Sequence, residues 1–91
     1  MATGTIKAKT NNPIKSKIVS TGVTISANAY ATVLDATLAN KNYQGISING
    51  IASHTCYPTT CYISDAGFYV VLVNKGSAAI TTGAITVYYT D

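Results

Sequence analysis

The stretch "FYVVLVN", residues 68–74, decides the fold class of this chain. On an extended strand successive side chains point to opposite faces. Phe68, Val70 and Leu72 therefore share one side, and Tyr69, Val71 and Val73 share the other. Both sides are apolar, and β-branched and aromatic residues dominate, the types that favour strands. A half-exposed strand would alternate apolar with polar residues. This one needs cover on two faces, and no helical periodicity elsewhere in the chain supplies the second. The simplest second cover is another copy of the same chain.

Working outward, the period of two persists. C-terminal to the stretch, "NKG" (74–76) reads as a turn, "AITTG" leads on, and "AITVYYT" (84–90) places Ile85, Val87 and Tyr89 on an inner face. Upstream, "ISINGIA" (46–52) alternates until a skip at Gly50, where a β-bulge is expected. "LANKNYQG" is a polar connection, "YATVLDATL" (30–38) a strand, and "GVTIS" (22–26) another, with a turn at Ala27-Asn28-Ala29 between them. In "TIKAK" and "IKSKIV" lysines alternate with smaller or apolar residues on either side of a turn at Asn11-Asn12-Pro13. Short strands repeating at intervals of about ten residues predict an all-β, antiparallel β-sandwich of seven to eight strands, jelly-roll or Ig-like. The expected core is Val23, Ile25, Leu34, Ile46, Ile48, Val71, Val73, Ile85 and Val87. Residues 1–21 read as a basic strand or linker, and 22–91 as the sandwich domain.

With 91 residues the chain makes one domain, and 47% hydrophobic against 10% charged residues rules against disorder. Its longest apolar run, 68–73, is far short of the roughly 20 residues of a membrane helix, so no membrane insertion is expected. "MATGTIKAKT" has no apolar core of a signal peptide. All charge comes from six Lys and three Asp, and four of the lysines (7, 9, 15, 17) precede residue 20. Such an arm suits nucleic acid, but phosphate readers favour Arg and the chain has none. The expectation is instead an edge strand with outward lysines that discourage sheet-to-sheet pairing.

Residues with chemical potential gather in "HTCYPTTCYI" (54–63). A metal site would use His54, Cys56, Cys61 and Asp65, yet the spacing H-x-C-x4-C lacks the two short ligand pairs of structural zinc sites. A thiolate–imidazole pair of Cys56 and His54 lacks an orienting carboxylate and an oxyanion pocket. Neither an enzyme nor a cofactor or metal is expected. The remaining reading is a hairpin with Tyr57-Pro58-Thr59-Thr60 as its loop, Pro58 at the second turn position, and Cys56 opposite Cys61. Those thiols form a disulfide or stay free according to compartment. His54, Tyr57 and Tyr62 are then candidate contacts for a protein or carbohydrate surface, or the tyrosines simply cover the sandwich edge.

The order of "GVTISANAYATVLDATL" (22–38), "YQGISINGIA" (43–52) and "GFYVVLVNKGSAAITTGAITVYYTD" (67–91) resembles the C-terminal β-sandwich domains of bacteriophage tail fibres and related minor structural tail proteins. The cysteine loop and residues 1–21 lie outside the pattern. The resemblance implies a homotrimer on the virion, exposed to the extracellular medium, that binds a host-surface glycan or protein. A virion structural part without its own receptor, and a small secreted bacterial adhesin or carbohydrate-binding module, are the alternatives.

Overall fold

The computed structural model describes residues 13–51 and 55–91. Eight strands run in order: β1 Lys15–Ser20, β2 Thr24–Ile25, β3 Ala29–Asp35, β4 Asn42–Ile48, β5 Cys56–Ser64, β6 Gly67–Asn74, β7 Ile80–Thr81 and β8 Ile85–Thr90. They form two three-stranded antiparallel sheets, β1-β8-β4 and β3-β6-β5, with the short ribbon β2-β7. The fold is all-β and sandwich-like, as the periodicity requires.

Strand β6 is central to its sheet, between β3 and β5. Its inward residues Phe68, Val70, Leu72 and Asn74 are at most 1% exposed. They pack with Ile25, Val33, Leu38, Cys56, Ile85 and Val87, and Ile46, Ile48, Val23 and Tyr89 close around this cluster. Tyr43 of β4 stacks on Phe68 across the core, with ring centroids 6.5 Å apart. Three members of the expected core face the other way. Leu34 is 67% exposed, and Val71 and Val73 are half-buried on the outer surface. Periodicity separates two faces but cannot say which is inner when both are apolar; Val33, Val70 and Leu72 occupy the core instead.

Asn74 shows how tertiary context recruits a polar residue. Its side-chain amide, fully buried, donates to the carbonyls of Ile25 (3.0 Å), Ser26 (3.3 Å) and Ala78 (2.9 Å). Its Oδ1 accepts from the Gly76 N–H at 2.9 Å. One side chain thus ties β2 to the β6–β7 loop and satisfies backbone groups that would otherwise be buried without partners.

Local expectations needed revision at five points. Strand β3 ends at Asp35, because its carboxylate accepts from the Thr37 N–H (3.0 Å) and caps a single 3-10 turn, Ala36–Leu38, that buries Leu38. The segment 38–45 is not all connection, since β4 begins at Asn42. Gly50 is not a bulge but part of a turn with φ +76, a left-handed value that glycine adopts freely; the register shift in β4 falls between Tyr43 and Gly45. Residues 15–20, read as strand or linker, pair with β8 as an edge strand of the sandwich.

The fifth revision concerns the lysines of β1, which point inward. Lys15 and Lys17 lie opposite Tyr89 and Val87, the inner row of β8, while Ile18 is 57% exposed. Lysine stems can lie along an apolar margin while the ammonium reaches a polar partner. Lys17 Nζ meets Asp35 Oδ2 at 2.7 Å and the Thr37 hydroxyl, linking the two sheets. Lys15 and Lys41 both hold Asp91. The remaining N-terminal features, the "TIKAK" strand and the Asn11-Asn12-Pro13 turn, fall outside the described residues apart from Pro13.

Two outcomes follow. Asn74→Ala removes the partner of the buried Ile25 carbonyl and of three part-buried groups that water can reach, so urea unfolding should show a loss of about 3 kcal/mol with an unchanged m-value, given 1–3 kcal/mol for an unsatisfied buried group. Burial alone would raise the Asp35 pKa, but bonds from Lys17 and Thr37 outweigh it and hold the carboxyl below its ordinary value. Asp91 is lowered by its bonds to Lys15 and Lys41. The folded state therefore binds fewer protons than the unfolded chain, and this contribution is fully present above the unfolded carboxylate pKa of about 4 and lost as pH falls through the folded values. Melting temperature should be flat down to about pH 5 and fall below about pH 4, less steeply in Asp35→Asn.

Candidate functional site

The outer face of the β3-β6-β5 sheet carries four tyrosines, where the likewise exposed outer face of β1-β8-β4 carries one, Tyr88. Its composition follows from register. Val73 lies between Tyr30 of β3 and Tyr57 of β5; Val71 lies between Thr32 and Thr60; Tyr69 lies between Leu34 and Tyr62. Three cross-strand rows result, aromatic at both ends and hydroxyl-bearing in the middle. None of these nine side chains is charged. Tyr30 is 71% and Tyr62 46% exposed. The Tyr62 and Tyr69 rings lean together, centroids 5.2 Å apart and tilted by 31°.

Each end of the face is concave. A hollow of about 400 Å³ at the Tyr30–Val73 end is lined also by Asn28, Ala29, Asn74 and Lys75. A second of about 230 Å³ lies among Leu34, Tyr62, Tyr69 and Ala66. Tyr30 and Leu34 are four residues apart on one strand, so the end rows stand about 13 Å apart.

Of the residues singled out in the sequence, Tyr57 and Tyr62 both stand on this face, and His54 lies outside the described residues. Neither tyrosine is at a loop tip. The supposed hairpin at 56–61 is a continuous strand: Cys56 lies opposite Asn74 and Cys61 opposite Val70. The expected hairpin that sets Cys56 opposite Cys61 is therefore not formed. The two cysteines are about 15 Å apart along one strand, whereas a disulfide needs Cα atoms within about 7 Å, and both are free thiols. Pro58 misled because it is a turn residue that an edge strand also tolerates at a bulge. Here β5 is such an edge, and its register shifts between Pro58 and Thr60. The true hairpin turn is Asp65-Ala66, between Ser64 and Gly67. Gly67 has φ +126, and a Cβ there would meet the Asp35 carbonyl oxygen at 2.5 Å.

Cys56 and Cys61 point into the sandwich, where burial pushes both thiols up. The Tyr43 hydroxyl donates to Cys61, and burial together with this bond raises its own pKa to about 12. Neither thiol is poised as a thiolate nucleophile, which requires a lowered pKa. Among the described residues no three His, Cys, Asp or Glu side chains converge on a possible metal position.

Sequence reasoning missed Tyr30, Thr32, Leu34, Thr60 and Tyr69 as site residues. The alternation of Tyr30, Thr32 and Leu34 within "YATVLD" carried the signal, but choosing Leu34 for the core inverted the phase. The class this geometry defines is an antiparallel β-sandwich whose β3-β6-β5 sheet turns an aromatic face outward. No family model, curated protein or solved structure is matched by the chain.

Iodoacetamide should label the native protein slowly at neutral pH, Cys61 ahead of the fully buried Cys56, and both rapidly in urea. Intact mass before labelling should show the full hydrogen count of two thiols.

Proposed function

We propose that the chain is a non-enzymatic attachment domain of the phage tail-fibre kind, and that the outer face of β3-β6-β5 binds a neutral saccharide of a host surface. The observation that carries this reading is the uncharged face with phenol rings at both ends and threonine hydroxyls between them. Sugar rings present C–H faces and hydroxyl edges, which suits phenol rings that offer an apolar body and a polar tip. Tyrosine also gives large contact area at low entropic cost. A separation of about 13 Å between end rows accommodates several sugar rings laid along the strands, over Thr32 and Thr60. The order of the sequence stretches supports the tail-fibre comparison, and the nine uncharged side chains of the rows favour a neutral ligand, with Lys75 only at the margin.

The test is binding to a panel of bacterial surface polysaccharides and to whole cells. Tyr30→Ala and Tyr62→Ala, both at exposed positions, should each weaken binding by about tenfold, equivalent to about 1.4 kcal/mol, while melting temperature stays within a few degrees. A face that ignores every saccharide and holds another virion protein would favour the structural role. Loss of self-association in these variants, without any saccharide binding, would assign the face to a second copy.

A further inference from the structure

The four edge strands of the two main sheets are not alike. A sheet edge presents unpaired backbone groups, and proteins blunt such edges with inward charges, proline, bulges or very short strands. Strand β1 carries inward Lys15 and Lys17 and a register shift between Ile18 and Ser20. Strand β4 carries Gly45 and a shift between Tyr43 and Gly45. Strand β5 carries Pro58 and a shift beside it. Strand β3 carries one such device, the inward Asp35 at its last position, which Lys17 neutralises, and it has no bulge, proline or short length to oppose pairing. It runs seven residues, AYATVLD, in unbroken register with β6, without Pro, Gly or Lys.

We infer that the free edge of β3 is a pairing edge, and that its partner is β3 of a second copy, joined antiparallel about a two-fold axis at Thr32. That register is the one that pairs all seven residues. It sets Thr32 beside Thr32 of the copy, Tyr30 beside Leu34, Ala31 beside Val33 and Ala29 beside Asp35. Threonine pairs and aromatic–aliphatic neighbours are favourable across antiparallel strands. The charges are compatible: Asp35, the strand's one charge, lies opposite an alanine and is already held by Lys17, while Lys15 is held by Asp91. Like charges therefore never oppose one another along the ladder. A C2 contact is self-complementary and closes, so it yields a dimer and no filament. The result is a six-stranded sheet, β5-β6-β3-β3-β6-β5, whose outer face carries the tyrosine and threonine rows twice. The pairing does not depend on what those rows bind.

A seven-residue ladder buries little surface, which places the equilibrium at the weak end of protein association. Sedimentation of the full chain across the micromolar range should show a reversible shift from 9.5 kDa to about twice that mass. Thr32 is exposed, so Thr32→Lys leaves the fold intact, puts two ammonium groups at the axis, and should weaken the dimer by about tenfold or more. Mixing Thr32→Lys with Thr32→Asp should restore a dimer that contains one of each. Hydrogen exchange separates edge pairing from face-to-face packing. In the dimer the amides of 29–35 that do not bond β6 should gain protection, and they should lose it on dilution. A monomer throughout, a trimer, an unshaken Thr32→Lys dimer, or β3 amides indifferent to dilution would each overturn the proposal.

Discussion

Strand β6 is apolar on both faces, and a chain of this size can bury only one of them. Everything else in the molecule is arranged around that constraint. The face bearing Phe68, Val70 and Leu72 is covered by the β1-β8-β4 sheet through Ile85, Val87 and Tyr43. Asn74, at the end of the same row, ties the β2-β7 ribbon to the sandwich through its side-chain amide. The other face, with Tyr69, Val71 and Val73, has only its neighbours on β3 and β5 for company. Tyr30 and Tyr57 flank Val73, Thr32 and Thr60 flank Val71, and their hydroxyls keep the surface compatible with water, a phenol adding ring area as well.

The sparse charges act at the margins. Lys17 with Asp35 joins the open sides of the two sheets, and Lys15 and Lys41 converge on Asp91. Exposed pairs of this kind contribute little stability each, but they place inward lysines on an edge strand, where charge opposes unwanted pairing. The aromatic outer face and the unbroken β3 edge adjoin one another, because Tyr30, Thr32 and Leu34 belong to both. A contact made through one is positioned to extend the other, and that geometry links the proposed attachment role to the proposed dimer.

The sequence by itself determined the all-β class, the two-sided apolar character of 68–73, the inner face of the last strand, and the tyrosine-rich character of 54–63. These follow from local alternation and residue type, which a single strand expresses without reference to its neighbours. What only the tertiary structure decided was phase and partner. When both faces of β6 are apolar, alternation alone leaves Val70 and Val71 equivalent; the facing sheet breaks the tie and carries Leu34 outward with Val71. Turn residues were ambiguous for a related reason. Pro58 suits a hairpin loop and an edge-strand bulge equally, and the ladder with β6 selects the bulge, which separates Cys56 from Cys61. The lysines of β1 point inward because Asp35 and Asp91 wait there, 18 and 76 residues along the chain from their partners, and no local pattern reports a partner that distant.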